Sequence, residues 1–234
     1  MSNELTVVVV THNSEKNIEH CLNSLKGQNV IVVDNNSKDD TITKAIQFNV
    51  KIIQNKSNLG YGKAANQAIK QSNSKYILLL NPDVIINNKE INKMLKFLKT
   101  HKDCDIVGPM LVDKNNNNLH SCRRFPTLKS IAGRRLNVFN KDVNYHLMSD
   151  YNHKQTKKVD WVSGACIMFK RNLKFDERFF LYFEDVDLCR NRSVYYLPAA
   201  VAYHEEQRAS KHSPLLLGIH LASMVKYFVK HNFK

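Results

Sequence analysis

Val32-Val33-Asp34-Asn35-Asn36-Ser37 and Leu78-Leu79-Leu80-Asn81-Pro82-Asp83 decide the fold. In each, an apolar run ends abruptly, with an aspartate at or just past its carboxyl end. Runs that are apolar throughout, rather than at every second residue, mark strands covered on both faces, as in parallel sheets. Open α/β sheets bind ligands in the crevice outside the carboxyl ends of their strands. A carboxylate there can accept a hydrogen bond from a base or ribose, or hold a divalent cation against phosphates. Two such ends in one chain point to a nucleotide-sugar site.

Working outward, Leu5–Val10 reads as the first strand, and Ser14 as the N-cap of a helix to Leu25. Val30–Val33 is the second strand, and Ser37-Lys38-Asp39-Asp40 resembles a capping box opening a helix to Phe48. Lys51–Ile53 is a short third strand. A polar loop over 55–62 carries Gly60 and Gly62 and feeds a helix over 63–70. Tyr76–Leu80 is the fourth strand, Asn87 caps a helix to Lys99, and Ile106-Val107-Gly108 begins another strand. This alternation predicts successive βαβ units, hence an α/β fold with a Rossmann-like, doubly wound, mostly parallel sheet over residues 1–112. Beyond it, residues 119–155 are basic and aperiodic and take no assignment. Trp161–Phe169 reads as one strand, Phe179–Cys189 as a loop leading into a short helix, and Val194–Tyr203 as a strand with Pro198 at an edge or bulge. Leu215–Phe233 reads as a basic helix with an apolar face. No linker or repeat divides the chain. The expectation is one domain, with a nucleotide-binding half at 1–112, an acceptor and catalytic half at 113–210, and a C-terminal helix at 211–234.

The 234 residues are 43% hydrophobic, enough for a core of that size. The net charge of +14 favours acidic partners such as nucleic acid, anionic lipid or phosphorylated substrates, and serves equally as a solvated basic surface. A nucleic-acid-binding module would interleave basic and aromatic residues or carry a reader motif. Neither is present, and the acidic cluster 184–187 opposes it, so no nucleic-acid partner is expected. Five scattered cysteines without a CxxC pair argue against a disulfide framework or zinc site and for a reducing compartment. The N-terminus lacks a signal pattern, and no apolar stretch reaches the roughly 20 residues of a membrane span. A cytoplasmic location is the expectation.

Several residues carry candidate chemistry, each with a plainer alternative. Asp34 could receive a pyrimidine N3–H or a ribose hydroxyl, or it could close an Asx-turn. Pro82 ends the strand before Asp83, which could hold Mg²⁺ or Mn²⁺ against a diphosphate or serve as a turn residue. Asn58-Leu59-Gly60-Tyr61-Gly62-Lys63 leads into a helix whose N–H groups suit anions, although its spacing fits neither a dinucleotide nor a P-loop fingerprint. Glu184, Asp185 and Asp187 lie in an aromatic run, where raised pKa values suit general-base work. Acids at a helix start are also favoured by its dipole. His204 could ligate a metal or be structural. The tail could lie on an anionic membrane surface or pack on the sheet.

Taken in order, these pieces resemble one family. Val10-Thr11-His12-Asn13, the Asp34 turn, Asn58-Leu59-Gly60-Tyr61-Gly62, Asn81-Pro82-Asp83, Asp160-Trp161-Val162-Ser163-Gly164-Ala165, the block 175–189 and His204 look like family 2 glycosyltransferases of GT-A fold, in their rhamnosyltransferase-like branch. The resemblance spans about residues 5–210, and 175–189 is its most specific part. It implies an enzyme of polysaccharide or cell-envelope synthesis, cytoplasmic or peripheral on the inner membrane face. The donor would be dTDP-L-rhamnose, with a UDP-sugar as the alternative, and the acceptor a glycan or lipid-linked glycan. Thr11, Asn13, Asp34, Asn58, Gly60, Lys63, Asn81 and Asp83 would bind the donor, Asp34 through its pyrimidine. Asp83 and His204 would hold Mg²⁺ or Mn²⁺. Asp185 would be the catalytic base of an inverting displacement. Trp161, Gly164, Ala165 and Glu184 would shape the sugar and acceptor pocket. The chain departs from the pattern at Asn81, which replaces the first acid of a DxD motif, in the short connection Arg190–Ser193, and at Glu205-Glu206 after His204.

Overall fold

The computed structural model describes residues 4–205 and 213–232. The first half alternates strand and helix: β1 (Leu5–Thr11), α1 (Ile18–Ser24), β2 (Val30–Asp34), α2 (Thr41–Ala45), β3 (Lys51–Gln54), α3 (Tyr61–Gln71), β4 (Tyr76–Leu80), β5 (Val84–Ile85), α4 (Asn88–Thr100) and β6 (Ile106–Val112). The second half adds β7 (Cys122–Arg123), α5 (Leu128–Leu136), α6 (Asn140–His146), β8 (Lys157–Val159), β9 (Trp161–Val162), β10 (Cys166–Lys170), α7 (Glu184–Cys189), β11 (Val194–His204) and α8 (Pro214–Lys230).

The main sheet runs β3-β2-β1-β4-β10-β6-β11-β5, with β8 beside β11. The strands β1 to β4 are mutually parallel, as their helical crossovers require. Strand β10 is inserted antiparallel between β4 and β6, and β11 returns parallel to β6. The chain builds β2 and β3 to one side of β1 and then places β4 on the other. That reversal is the switch point at which such sheets open a crevice. The register levels the strand ends there, with Thr11 beside Asp34 and Val9 beside both Val32 and Leu80.

Each central strand is buried on both faces, and alternate residues feed two cores. Val8, Val10, Ile31, Val33, Ile77 and Leu79 pack towards α3 and the second half. Val7, Val9, Val30, Val32, Leu78 and Leu80 pack towards α1 and α4. Burying one such side chain contributes about 1.5–3 kcal/mol, so the parallel strands supply much of the stability.

The structure revises several boundaries. Helix α1 starts at Ile18 rather than after Ser14, whose carbonyl accepts from Asn17 and Ile18 while its N–H donates to Thr41 Oγ1. No capping box forms over 37–40, because Ser37 is drawn to Asp34 and α2 begins at Thr41. Residues 161–169 are not one strand: Ser163-Gly164-Ala165 break it between β9 and β10. Pro198 lies where β11 shifts register between Leu197 and Val201, a bulge whose freed Val201 N–H donates to Glu90. The unassigned stretch contains the α5–α6 hairpin. The C-terminal helix packs Ser223, Tyr227 and Phe228 inward, and Ser223 donates to the Leu181 carbonyl. No helix among the described residues is long and apolar enough to cross a membrane.

Candidate active site

A cavity of about 390 Å³ opens at the switch point, lined by the end of β1 (Val10, His12, Asn13), Glu15, Tyr61 and Asn81-Pro82-Asp83. The turn after β4 closes when Val84 N–H donates to the Asn81 carbonyl. The short strand β5 then pairs with the end of β11, setting His204 opposite Val84. The Glu205 N–H donates to the Asp83 carbonyl, and His204 Nε2 stands 3.4 Å from Asp83 Oδ1. That oxygen is buried and accepts no hydrogen bond. An unpartnered carboxylate oxygen facing an imidazole nitrogen at a cavity mouth suits Mg²⁺ or Mn²⁺, which tolerate few protein ligands when phosphates and water complete the shell. The fit rests on these two side chains, since no group of three metal-ligating side chains occurs among the described residues.

Tyr61 links this corner to the second acidic centre. Its hydroxyl lies 2.8 Å from Asn81 Oδ1 and 3.3 Å from the Gly164 carbonyl. Burial, then the charges of Glu184, Asp185 and Asp83, push the phenol well above its usual range, so it stays a neutral donor. Asn81 N–H donates to the Ala165 carbonyl, which anchors the β9–β10 break against the end of β4. Gly164 N–H then donates to Asp185 Oδ2 at 2.8 Å, and Val186 N–H to Asp185 Oδ1 at 2.8 Å. A Cβ on Gly164 would stand 2.9 Å from the Asp185 Cβ, so this approach requires glycine.

Glu184 and Asp185 are adjacent in sequence and differ in what surrounds their carboxyl groups. Burial and the neighbouring Asp185 push Glu184 up to about 8, and its Oε2 is buried without a hydrogen bond. Burial also raises Asp185, but the Gly164 and Val186 N–H groups favour its charged form. Burial thus favours the protonated form of Glu184, while half-buried Asp185 keeps two N–H donors for its charged form. Tyr182 and Phe183, at φ 68° and 66°, hold this pair in place from the sparsely populated left-handed region.

The other donor candidates do less than the motif implies. Asp34 is 3% exposed, and its carboxylate accepts from Thr11 Oγ1, Ser37 N and Ser37 Oγ. It closes the loop beneath the cavity and does not line it. Asn13 lines the cavity but also accepts from Lys38 N–H. Asn58 accepts from Gly60 N–H. Gly60, at φ 87°, lets Tyr61 N–H meet the Phe180 carbonyl at 2.7 Å, so the start of α3 is closed by protein. Lys63 is exposed on α3 outside the cavity lining. Trp161 offers no open face for stacking on a sugar, as it is 6% exposed, donates to the Arg124 carbonyl and lies beneath the Arg123 guanidinium. It anchors β7 and the α5–α6 hairpin behind the site. Sequence reasoning missed Tyr61, visible only as an aromatic between two glycines, and His12, whose Nδ1 pairs with the Asn35 carbonyl at 2.9 Å.

The family described as glycosyl transferase family 2 matches residues 6–174. An N-acetylglucosaminyl-diphospho-decaprenol L-rhamnosyltransferase of Mycobacterium tuberculosis is 27% identical over 92% of this chain and 80% of its own length. The Escherichia coli rhamnosyltransferase WbbL is 26% identical over 85% of this chain and 82% of its own. Among solved structures, glucosyl-3-phosphoglycerate synthase of M. tuberculosis with Mn²⁺, UDP and phosphoglyceric acid superposes with a TM-score of 0.64 at 15% identity, over 95% of this chain and 78% of that one. Staphylococcus aureus TarS 1–349 with UDP-GlcNAc gives 0.60 at 21% identity over 90% of this chain. This chain covers 61% of that TarS fragment. The likenesses fix the fold as GT-A.

Proposed function

The chain belongs to glycosyl transferase family 2 as a nucleotide-sugar glycosyltransferase, and from that premise we propose that it moves L-rhamnose from dTDP-L-rhamnose, with inversion, onto a hydroxyl of a polysaccharide or lipid-linked glycan. Residues 1–112 bind the donor and 113–210 the acceptor. The observation that carries the chemistry is the Asp185 carboxylate, which accepts from the Gly164 and Val186 N–H groups beside the buried Glu184.

The acceptor hydroxyl gives its proton to Asp185 as its oxygen bonds to the anomeric carbon. The bond from that carbon to the diphosphate oxygen breaks in the same displacement, and the nucleoside diphosphate leaves. Asp83 and His204 would hold a divalent cation, which when bound would offset negative charge on the diphosphate. Because Asn81 is not an acid, it orients Tyr61 instead. Asp34 reaches the pyrimidine if Ser37 yields its place on the carboxylate.

The rhamnosyl reading is supported by the two rhamnosyltransferase relatives, and the lipid-linked acceptor by the decaprenol in the name of one. A UDP-hexose is the rival donor, favoured by the UDP-GlcNAc complex of TarS. A thermal-shift panel of dTDP-rhamnose, UDP-glucose, UDP-galactose and UDP-N-acetylglucosamine, each with and without Mn²⁺, separates them, because a ligand of the folded state raises Tm by mass action. The largest Mn²⁺-dependent shift is expected with dTDP-rhamnose. A larger UDP-sugar shift would replace the donor, and no shift with any would end the proposal. A lipid-linked acceptor would bring the enzyme to the inner face of the cytoplasmic membrane.

A further inference from the structure

The large apolar side chains left in solvent are not scattered. Thirteen are exposed among the described residues, and nine of them fall on the α5–α6 hairpin and α8. Three of the five on the hairpin, Leu136, Val138 and Phe139, stand at its tip, where residues 134–141 (Arg-Arg-Leu-Asn-Val-Phe-Asn-Lys) are exposed without interruption. Leu136 is 71% exposed and Phe139 51%.

The tip is built at a local cost. Asn137 and Phe139 both adopt positive φ, 56° and 54°. Asparagine tolerates that conformation, whereas a bulky aromatic rarely does. Phe139 therefore holds a strained backbone without gaining burial. Gly133 makes the tight return possible, since a Cβ there would stand 2.4 Å from the Val138 carbonyl. Strain that is not offset by packing is a reason to look for a partner.

Helix α8 repeats the arrangement. Its inner face packs against the loop before α7, while Leu215, Gly218, Ala222, Val225 and Val229 form an outward stripe at helical spacing. Leu215 is 74% exposed. The two elements are neighbours: burial, then the charges of Arg135 and Arg134 at the end of α5, hold His220 of α8 down to about 4. Helix α8 contains no acidic residue, and the hairpin contributes Lys129, Arg134, Arg135 and Lys141 against the single acid Asp142. An apolar surface bordered by cations matches an anionic bilayer, with apolar side chains entering the headgroup boundary and cations meeting the phosphates.

We propose that the tip of the α5–α6 hairpin and the outer stripe of α8 together form a docking surface for the anionic lipid bilayer. The proposal rests on the lipid-linked reading of the acceptor. It adds which residues meet the membrane and assigns the contact to lipid itself, independently of donor or acceptor. Because α8 also packs on Leu181, Tyr182 and Phe183, the docked face lies directly behind the loop that carries Glu184 and Asp185.

The test is co-flotation of the purified full chain with vesicles, free of acceptor, of phosphatidylcholine alone or with phosphatidylglycerol. Binding is expected with the anionic vesicles only and should be released by salt. The pairs Leu136→Glu/Phe139→Glu and Val225→Glu/Val229→Glu should each weaken partitioning by at least about tenfold, as should Arg134→Gln/Arg135→Gln. Circular dichroism and the nucleotide-sugar thermal shift should remain those of the wild type. Failure to float with either vesicle overturns the proposal, as does undiminished flotation of either glutamate pair. A dimer that Val225→Glu/Val229→Glu dissociates, in a chain that does not float, would assign the stripe to a second copy instead. Sugar transfer to a soluble acceptor without flotation would leave the transferase reading intact and remove only the membrane surface.

Discussion

The first 112 residues and the stretch that follows solve different problems. Among the described residues of the first, non-glycine positions take positive φ only at Asn13 and Asn36, where asparagine accommodates it readily. Among the described residues beyond, nine do so, including His120, Phe139, Met148, Tyr182 and Phe183. The parallel-sheet half is relaxed, and its central strands are buried on both faces. The other half is strained where it presents chemistry, at Tyr182-Phe183 before the base, and where it presents an apolar surface, at Phe139. The regular half supplies stability that the second half spends on position.

The contrast can be broken experimentally, and the largest effect belongs to the strained half. Asp185→Asn should lower kcat by about 10³-fold, within the range for loss of a general base, while the donor thermal shift stays unchanged. Near-normal turnover would remove Asp185 from its role. In the relaxed half the corresponding loss is of stability: Leu79→Ala, in the middle of β4 and fully buried, should cost about 3 kcal/mol in urea unfolding. Its kcat should be nearly that of the wild type at a temperature where the variant is folded.

Glu184→Gln sharpens the comparison through pH. The native state keeps Glu184 protonated up to about 8, raised by burial and by Asp185. An unfolded glutamate loses its proton near 4.3. Between these values the folded chain binds more protons, so this group's contribution is complete below the lower value and is lost as pH rises through the upper one. The glutamine variant lacks that loss. Its stability relative to wild type should grow from pH 4 to 8, by on the order of a few kcal/mol. A difference that stays flat in urea titrations across that window would show that Glu184 is not held protonated.

Smaller effects follow at the junction of the halves. Asp83→Ala should weaken Mn²⁺-dependent donor binding by at least about tenfold, measured calorimetrically, with the affinity in EDTA barely altered. Equal affinity in Mn²⁺ and EDTA for the wild type would remove the metal role. Last, Phe139→Asn should stabilise the fold by about 0.5–1 kcal/mol by placing a residue suited to positive φ at the hairpin tip, at the expense of vesicle binding. Destabilisation in a thermal melt would mean that the ring packs more than its exposure indicates.

Most of the regular half was legible in the sequence. The strand expected over Tyr76–Leu80 is the strand found, and the first two end one residue beyond their expected limits, at Thr11 and Asp34. The helix starts were misplaced because Ser14 and Ser37 have two uses. Each satisfies a local turn or a strand-end carboxylate instead of a helix N-terminus, and sequence alone does not rank the two. The strand read through Ser163-Gly164-Ala165 is broken because Gly164 turns its N–H to Asp185. The α5–α6 hairpin was missed because Leu136, Val138 and Phe139 face solvent, so they do not fall on one buried helical face. Of the site residues expected from the sequence, Asp83 lines the crevice with His204 beside it, Asp185 is set against Gly164, and Asp34 and Trp161 are turned to structural partners.

By itself the sequence determined the parallel strands and the acids near their carboxyl ends, because burial on both faces leaves an uninterrupted apolar run that a local reading detects. Only the tertiary structure decided that Tyr61 spans Asn81 and Gly164 across 103 positions of chain. It alone set Asp83 against His204 and buried Glu184 beside Asp185. Those outcomes depend on desolvation and on charges brought together through space, and neither quantity exists until the chain has folded.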